Sequence, residues 1–137
     1  MTLPYLIAEQ PDLLVVYLGD VDETGHAYGW MSPEYLNAIE RADTAVGMLL
    51  TALEESGLRD QYTILLNSDH GGHDHSHGTN APEDMTIIWL LNGPGIKQGH
   101  EIVAPISLID NPPTIAHALG LDAPAVWDGQ PVLEAFA

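Results

Sequence analysis

Tyr62-Thr63-Ile64-Leu65-Leu66-Asn67-Ser68-Asp69-His70-Gly71-Gly72 joins a β-branched, apolar run to a carboxylate, an imidazole and two adjacent glycines. The run Tyr62 to Asn67 reads as a strand. Upstream of it, Leu36, Ile39, Ala42, Val46, Leu49 and Leu53 recur at helical spacing, with Glu40, Arg41 and Glu54 between them. Ser32 offers an N-cap hydroxyl, Pro33 suits the first helical position, and Gly57 suits the residue that ends the helix. Before that helix, Leu13-Leu14-Val15-Val16-Tyr17-Leu18 is the continuous apolar run expected of a strand covered on both faces. Strand, helix, strand is a βαβ crossover, which predicts parallel strands and a right-handed connection. The expected fold is therefore α/β, a mostly parallel sheet flanked by helices. Further on, Met85 to Leu91 reads as a third strand and Asn92-Gly93-Pro94-Gly95 as a turn. Asp110 or Asn111 is placed to cap a short helix from Pro113 to Leu119 that stops at Gly120, and Trp127 should pack its loop against the body.

Two stretches, Asp22-Glu23-Thr24-Gly25-His26 and Ser68-Asp69-His70-Gly71-Gly72, each place a carboxylate and an imidazole after a predicted strand. Open α/β sheets bind ligands at that edge. Aspartate oxygen and neutral histidine nitrogen suit zinc and similar divalent ions. Asp22 and His26, at i and i+4 in a predicted loop from Gly19 to Met31, could be aimed at one ion, although such a pair is common by chance. Asp69-His70 could equally be a turn cap with a solvated histidine, but Gly71-Gly72 would let the backbone turn closely around a ligand. Within the histidine-rich loop, His77 is the favoured ligand because Gly78 permits close approach. His73 and His75 read as solvent-facing, His100 and His117 as structural or exposed, and Asp74 and Asp84 as ordinary surface acids. Asp20 and Glu23 could orient an imidazole or simply be solvated.

Residues 1–137 are enough for one domain with a real core. Three Lys and Arg against 20 Asp and Glu give a net charge of −17, which disfavours nucleic acid and anionic lipid as partners. An anionic substrate would need bound cations to reverse the local potential. A solvated acidic face accounts for the charge equally well. No apolar run approaches the roughly 20 residues that span a bilayer. Met1-Thr2-Leu3-Pro4-Tyr5 lacks a basic n-region, which leaves the compartment open, and the lack of cysteine rules out thiolate ligands.

In order, Asp22 to His26, Ser68-Asp69-His70-Gly71, His77-Gly78-Thr79-Asn80, Gly93-Pro94-Gly95-Ile96, Ile109 to Ile115 and Leu119-Gly120-Leu121 resemble the landmarks of the alkaline phosphatase superfamily. The likeness runs from about Leu13 to Pro131 and is greatest to the nucleotide pyrophosphatase/type I phosphodiesterase branch, with sulfatases as relatives. The resemblance implies a two-metal hydrolase of small phosphate esters. The two ions would be divalent, zinc first, with manganese, magnesium or calcium as alternatives. Asp22, His26 and His77 would bind one ion, and Asp69 with His70 would help bind the second. In that family the ions flank a Thr or Ser nucleophile that becomes phosphorylated.

The family's nucleophile and one further metal-binding Asp precede the first matching segment, so no catalytic nucleophile is identifiable here. The chain then reads as the C-terminal portion of such a domain, a partial sheet whose open edge favours self-association. Ile88 stands where relatives often carry proline. Two other readings stay open: a sulfatase or phosphonate hydrolase with the same site, and a metal-binding fragment without turnover.

Overall fold

A computed structural model describes residues 2–137. The described chain is mainly helical, and its one sheet has two strands, β1 (Ile64–Asn67) and β2 (Trp89–Asn92). This overturns the expected parallel sheet flanked by helices. The reason lies in Leu13 to Leu18, which forms no regular element and pairs in no ladder. Val15 and Tyr17 are each 79% exposed, the opposite of a strand covered on both faces. An apolar run becomes a strand only where another backbone accepts its hydrogen bonds. The third predicted strand is also shorter than expected, because Pro82–Met85 forms a single helical turn and only Trp89–Asn92 enters the ladder.

The chain divides into two compact units, one comprising the residues up to Arg59 with Asn67–Ile88, the other Asp60–Leu66 with Trp89–Ala137. In the first, α1 (Thr2–Glu9), α2 (Asp20–Tyr28) and α3 (Pro33–Glu55) supply the framework. The long α3 follows its sequence signals. The Ser32 side chain accepts from the Tyr35 amide at 3.1 Å, Pro33 opens the helix, and Gly57 follows it with φ of 71°. Ala38 and Leu53 are its buried positions, and Leu6 and Leu58 are buried in the same unit. Arg41 on α3 sends Nε and Nη2 to one oxygen of Asp20 on α2, at 2.9 and 2.6 Å.

The segment expected to be a Gly/Asp-rich loop is instead the helix α2. Asp20, Asp22 and Glu23 crowd its first turn, where the unpaired amides of a helix N-terminus favour negative charge. Thr24 Oγ1 donates back to the Asp20 carbonyl at 2.6 Å, and Gly29, at φ of 95°, ends the helix.

The second unit holds β2 and the short helix α4 (Asn111–Ala118). Its core is Ile96, Ala116 and Ala135, with Pro113 and Thr114 fully enclosed. Asp110 precedes α4, yet its carboxylate makes no cap to it. It accepts instead from the amides of Ser107 and Gln130, each at 2.8 Å. The Thr114 hydroxyl donates to the Asp110 carbonyl at 2.6 Å and accepts from the Val132 amide at 2.9 Å. Gly120, at φ of 68°, ends the helix as expected, while Trp127 stays 40% exposed rather than packed down.

Candidate metal centre

The i, i+4 register of α2 sets Asp22 and His26 on one face, one turn apart. The loop from Gly71 to Asp84 folds back toward that face. Its trunk is a pair of backbone hydrogen bonds, from the Gly71 amide to the Asp84 carbonyl and from the Gly72 amide to the Glu83 carbonyl, both 2.8 Å. His73 and Ser76 exchange amide hydrogen bonds at 3.0 Å, closing a tight turn, and the Trp30 amide donates to the Asp74 carbonyl at 2.7 Å.

The result is a convergence on one atom. Asp22 Oδ1 has Nε2 of His26 at 3.6 Å, of His77 at 3.7 Å and of His70 at 3.8 Å. None of these is a hydrogen bond. Asp22 Oδ1 is buried and has no hydrogen-bond partner among the described residues. Four ligand atoms held by one tetrahedral zinc, with bonds near 2.0 Å, would stand about 3.3 Å apart. The three distances from Asp22 Oδ1 are only slightly wider. Among the described residues, Asp22, His26 and His77 form the group in mutual proximity, all three ligand atoms lying within 4.8 Å of one another.

The other ring nitrogens support this orientation. His26 Nδ1 lies 3.0 Å from the His75 carbonyl, and His70 Nδ1 lies 2.8 Å from the Gly71 carbonyl. A carbonyl oxygen only accepts, so Nδ1 carries the hydrogen in each ring. In the neutral imidazole, Nε2 is then the lone-pair nitrogen, and it is the one facing Asp22. Metal-ligating histidines are commonly oriented in this way. The His70 and His77 rings stack with centroids 3.6 Å apart, only 15° from parallel.

Asp69 behaves differently. Its side chain is 74% exposed, accepts from the His70 amide at 3.1 Å, and lies 3.6 Å from His70 Nε2. It therefore sits beside His70 on the solvent side, outside the convergence on Asp22.

Several neighbours carry roles that the sequence did not reveal. Trp30 lies edge-on to His26 at 5.1 Å and to His77 at 5.9 Å, with Tyr35 on it at 5.9 Å. Burial, then the Asp22 carboxylate, raises the pKa of Tyr35, against a hydrogen bond with Trp30. Gly25 and Gly72 both serve Trp30: a Cβ would meet its indole at 2.9 Å on Gly25 and at 2.2 Å on Gly72. On Gly71 a Cβ would fall 1.9 Å from the Glu83 carbonyl oxygen. The glycine pair thus allows close packing within the protein, not a turn around a ligand. Gly78 has open space around it, and its φ of 94° is what calls for glycine there.

His73, expected to face solvent, puts Nδ1 2.7 Å from Asp84 Oδ1. That hydrogen bond is the chief cause of a raised His73 pKa and of an Asp84 pKa lowered to about 2. His75, also expected outside, has Nδ1 3.2 Å from the His26 carbonyl and so clasps α2 in return. Asp84 is 3% exposed, far from a surface acid. Trp30 lies in the turn just past the end of α2, where no periodicity marks it. Nothing local marked Asp84. Asp20 is held by Arg41 rather than by an imidazole. His100 pairs with Glu134 at 3.1 Å and His117 lies against Phe136 at 4.7 Å, both structural as expected.

Comparison with known proteins gives the class. Residues 2–88 match the type I phosphodiesterase / nucleotide pyrophosphatase family. Venom phosphodiesterase 2 of Crotalus adamanteus is 39% identical over 64 residues, 47% of this chain and 8% of the relative. Human ectonucleotide pyrophosphatase/phosphodiesterase family member 1 is 41% identical over 63 residues, 46% of this chain and 7% of the relative. Human family member 7 is 35% identical over 69 residues, 50% of this chain and 15% of the relative.

The chain belongs to the type I phosphodiesterase/nucleotide pyrophosphatase family of the alkaline phosphatase superfamily, a family of metal-dependent hydrolases. Its matches span only a small part of the length of these relatives.

Proposed function

We propose that this chain supplies metal-binding residues to a hydrolase of small phosphoric esters, of the phosphodiesterase or nucleotide pyrophosphatase type. One observation carries the reading. The buried Asp22 Oδ1, without a hydrogen-bond partner among the described residues, has Nε2 of His26 and of His77 at distances that suit ligands of one shared cation, with Nε2 of His70 close by for a neighbouring one. Asp22, His26 and His77 would hold one divalent ion, zinc by the chemistry of the donor set. His70, with Asp69 beside it, would contribute to a second. Such ions supply charge neutralisation at the oxygens of a phosphoryl group. The −17 charge of the chain makes that local reversal of potential necessary for an anionic substrate.

The threonines adjoining the ligands do not supply a free hydroxyl. Thr24 donates to the Asp20 carbonyl and Thr79 to Asp84. On the family resemblance we place the nucleophile in another portion of a longer enzyme, of which residues 1–137 form a C-terminal part of the catalytic domain. The decisive measurement is metal content by mass spectrometry, on this chain and on Asp22→Ala/His26→Ala/His77→Ala. About one equivalent or more of zinc, lost in the folded variant, is expected. A wild-type chain that takes up no zinc when offered it would sink the reading.

Self-association belongs to the same proposal, through the largely exposed, unpaired apolar run Leu13 to Leu18. Light scattering coupled to size exclusion should show oligomers, and Val15→Lys/Tyr17→Lys should reduce them. A strictly monomeric wild type would remove this part.

A further inference from the structure

Resting on the metal reading above, we propose that Asp84 is a positioning residue for His77, tying down the loop on both sides of that ligand. One buried carboxylate makes three short hydrogen bonds. Oδ1 takes His73 Nδ1 at 2.7 Å, and Oδ2 takes the Thr79 amide at 2.8 Å and the Thr79 hydroxyl at 2.7 Å. His77 lies between those two anchors in the chain. The backbone of the same residue accepts from the Gly71 amide, so Asp84 also fixes the start of the loop.

This arrangement matters because His77 has little else to hold it. His26 is borne on a helix and has its Nδ1 on the His75 carbonyl, and His70 has its Nδ1 on the adjacent Gly71 carbonyl. The contacts that place the His77 ring are ring contacts, to His70, His26 and Trp30. Ring contacts tolerate sliding. The loop backbone must then set the position of Nε2, and the backbone on either side of His77 is fastened to Asp84. A metal ligand displaced by a fraction of an ångström binds poorly, and residues that orient ligands typically cost 10–100-fold in metal affinity when changed.

The test is Asp84→Asn in the full chain, with two readouts. The first needs no metal: the ring-proton NMR shifts of His77, which report its stacking on His70 and its place beside Trp30. The second is Co(II) affinity with the accompanying visible absorption spectrum, which reports ligand geometry. The expected result is a folded variant with His77 shifts moved toward those of an exposed histidine, cobalt affinity down by about 10–100-fold, and an altered spectrum. Unchanged His77 shifts in a folded Asp84→Asn would overturn the inference.

If Asp84→Asn does not fold, Thr79→Val decides instead, since it removes the hydroxyl that donates to Asp84 and accepts from the Ala81 amide, and keeps the carboxylate. A smaller shift in the same direction supports the role, and none refutes it. Glu134→Gln is the control. That carboxylate clips the amides of Val103 and Ala104 in the second unit, and its loss should leave His77 unmoved. An equal displacement there would reduce the Asp84 effect to general destabilisation and overturn it. A wild type that binds no Co(II) would remove the metal reading, while the metal-free shifts would still decide the positioning.

Discussion

Helix α2 and the histidine-rich loop supply the same kind of ligand by different means. On α2, Asp22 and His26 are brought together by the helical repeat itself, and backbone hydrogen bonds hold the geometry. In the loop, His70 and His77 are brought together by contacts distant in sequence: Asp84 on His73 and Thr79, and Gly71 and Gly72 against Glu83 and Trp30. The helix tolerates change around its ligands, because register survives most substitutions. The loop does not, because each of its anchors is a single residue. Half of this site is therefore cheap to build and half is precarious.

Trp30 gives the sharpest way to break that comparison, since it touches a glycine from each side. Gly72→Ala drives a Cβ to 2.2 Å from the indole. Forced overpacking of this kind should cost about 1–3 kcal/mol. Gly25→Ala meets the indole at 2.9 Å, but alanine in a helix interior regains about 1 kcal/mol of propensity over glycine. Its net effect should be close to zero. Denaturant midpoints of the two variants measure the difference. Equal losses would mean that Trp30 yields on neither side, and that the helix carries no advantage.

A smaller effect should appear with pH. The Asp84 pKa is lowered to about 2, so its contribution is present above its ordinary 3.8 and fades as pH falls toward 2. The His73 pKa is raised, so its contribution is complete below its ordinary 6.5 and is lost as pH rises through the raised value. The pair should therefore stabilise the loop most between about pH 4 and pH 6.5. His73→Gln should flatten the decline on the alkaline side of that window, read as amide exchange at Thr79. An alkaline decline as steep in His73→Gln as in the wild type would assign it to another group.

The same contrast explains what the sequence made legible. The caps and apolar spacing of α3 are local signals, and Ser32, Pro33 and Gly57 act as their residue types suggest. Asp22, His26, His70 and His77 were recognisable as residue types that bind cations in an order the family shares. The sheet was not legible, because Leu13 to Leu18 carries every intrinsic mark of a strand and lacks only a partner, which composition cannot show. The helix under Asp22 and His26 was hidden by Gly19, Gly25 and Gly29, which suggest a loop, although the acidic first turn favours a helix start. Asp84 was hidden for another reason. An aspartate in Pro82-Glu83-Asp84 looks like any surface acid until the fold buries it.

Trp30 has an optical consequence as well. The chain has three tryptophans, and Trp30 is the one in the first unit, while Trp89 and Trp127 belong to the second. Its indole lies against His26 and His77, so its emission is sensitive to anything that charges, moves or ligates those imidazoles. The molecule carries its own fluorophore at the centre of interest, with two others elsewhere to serve as an internal reference.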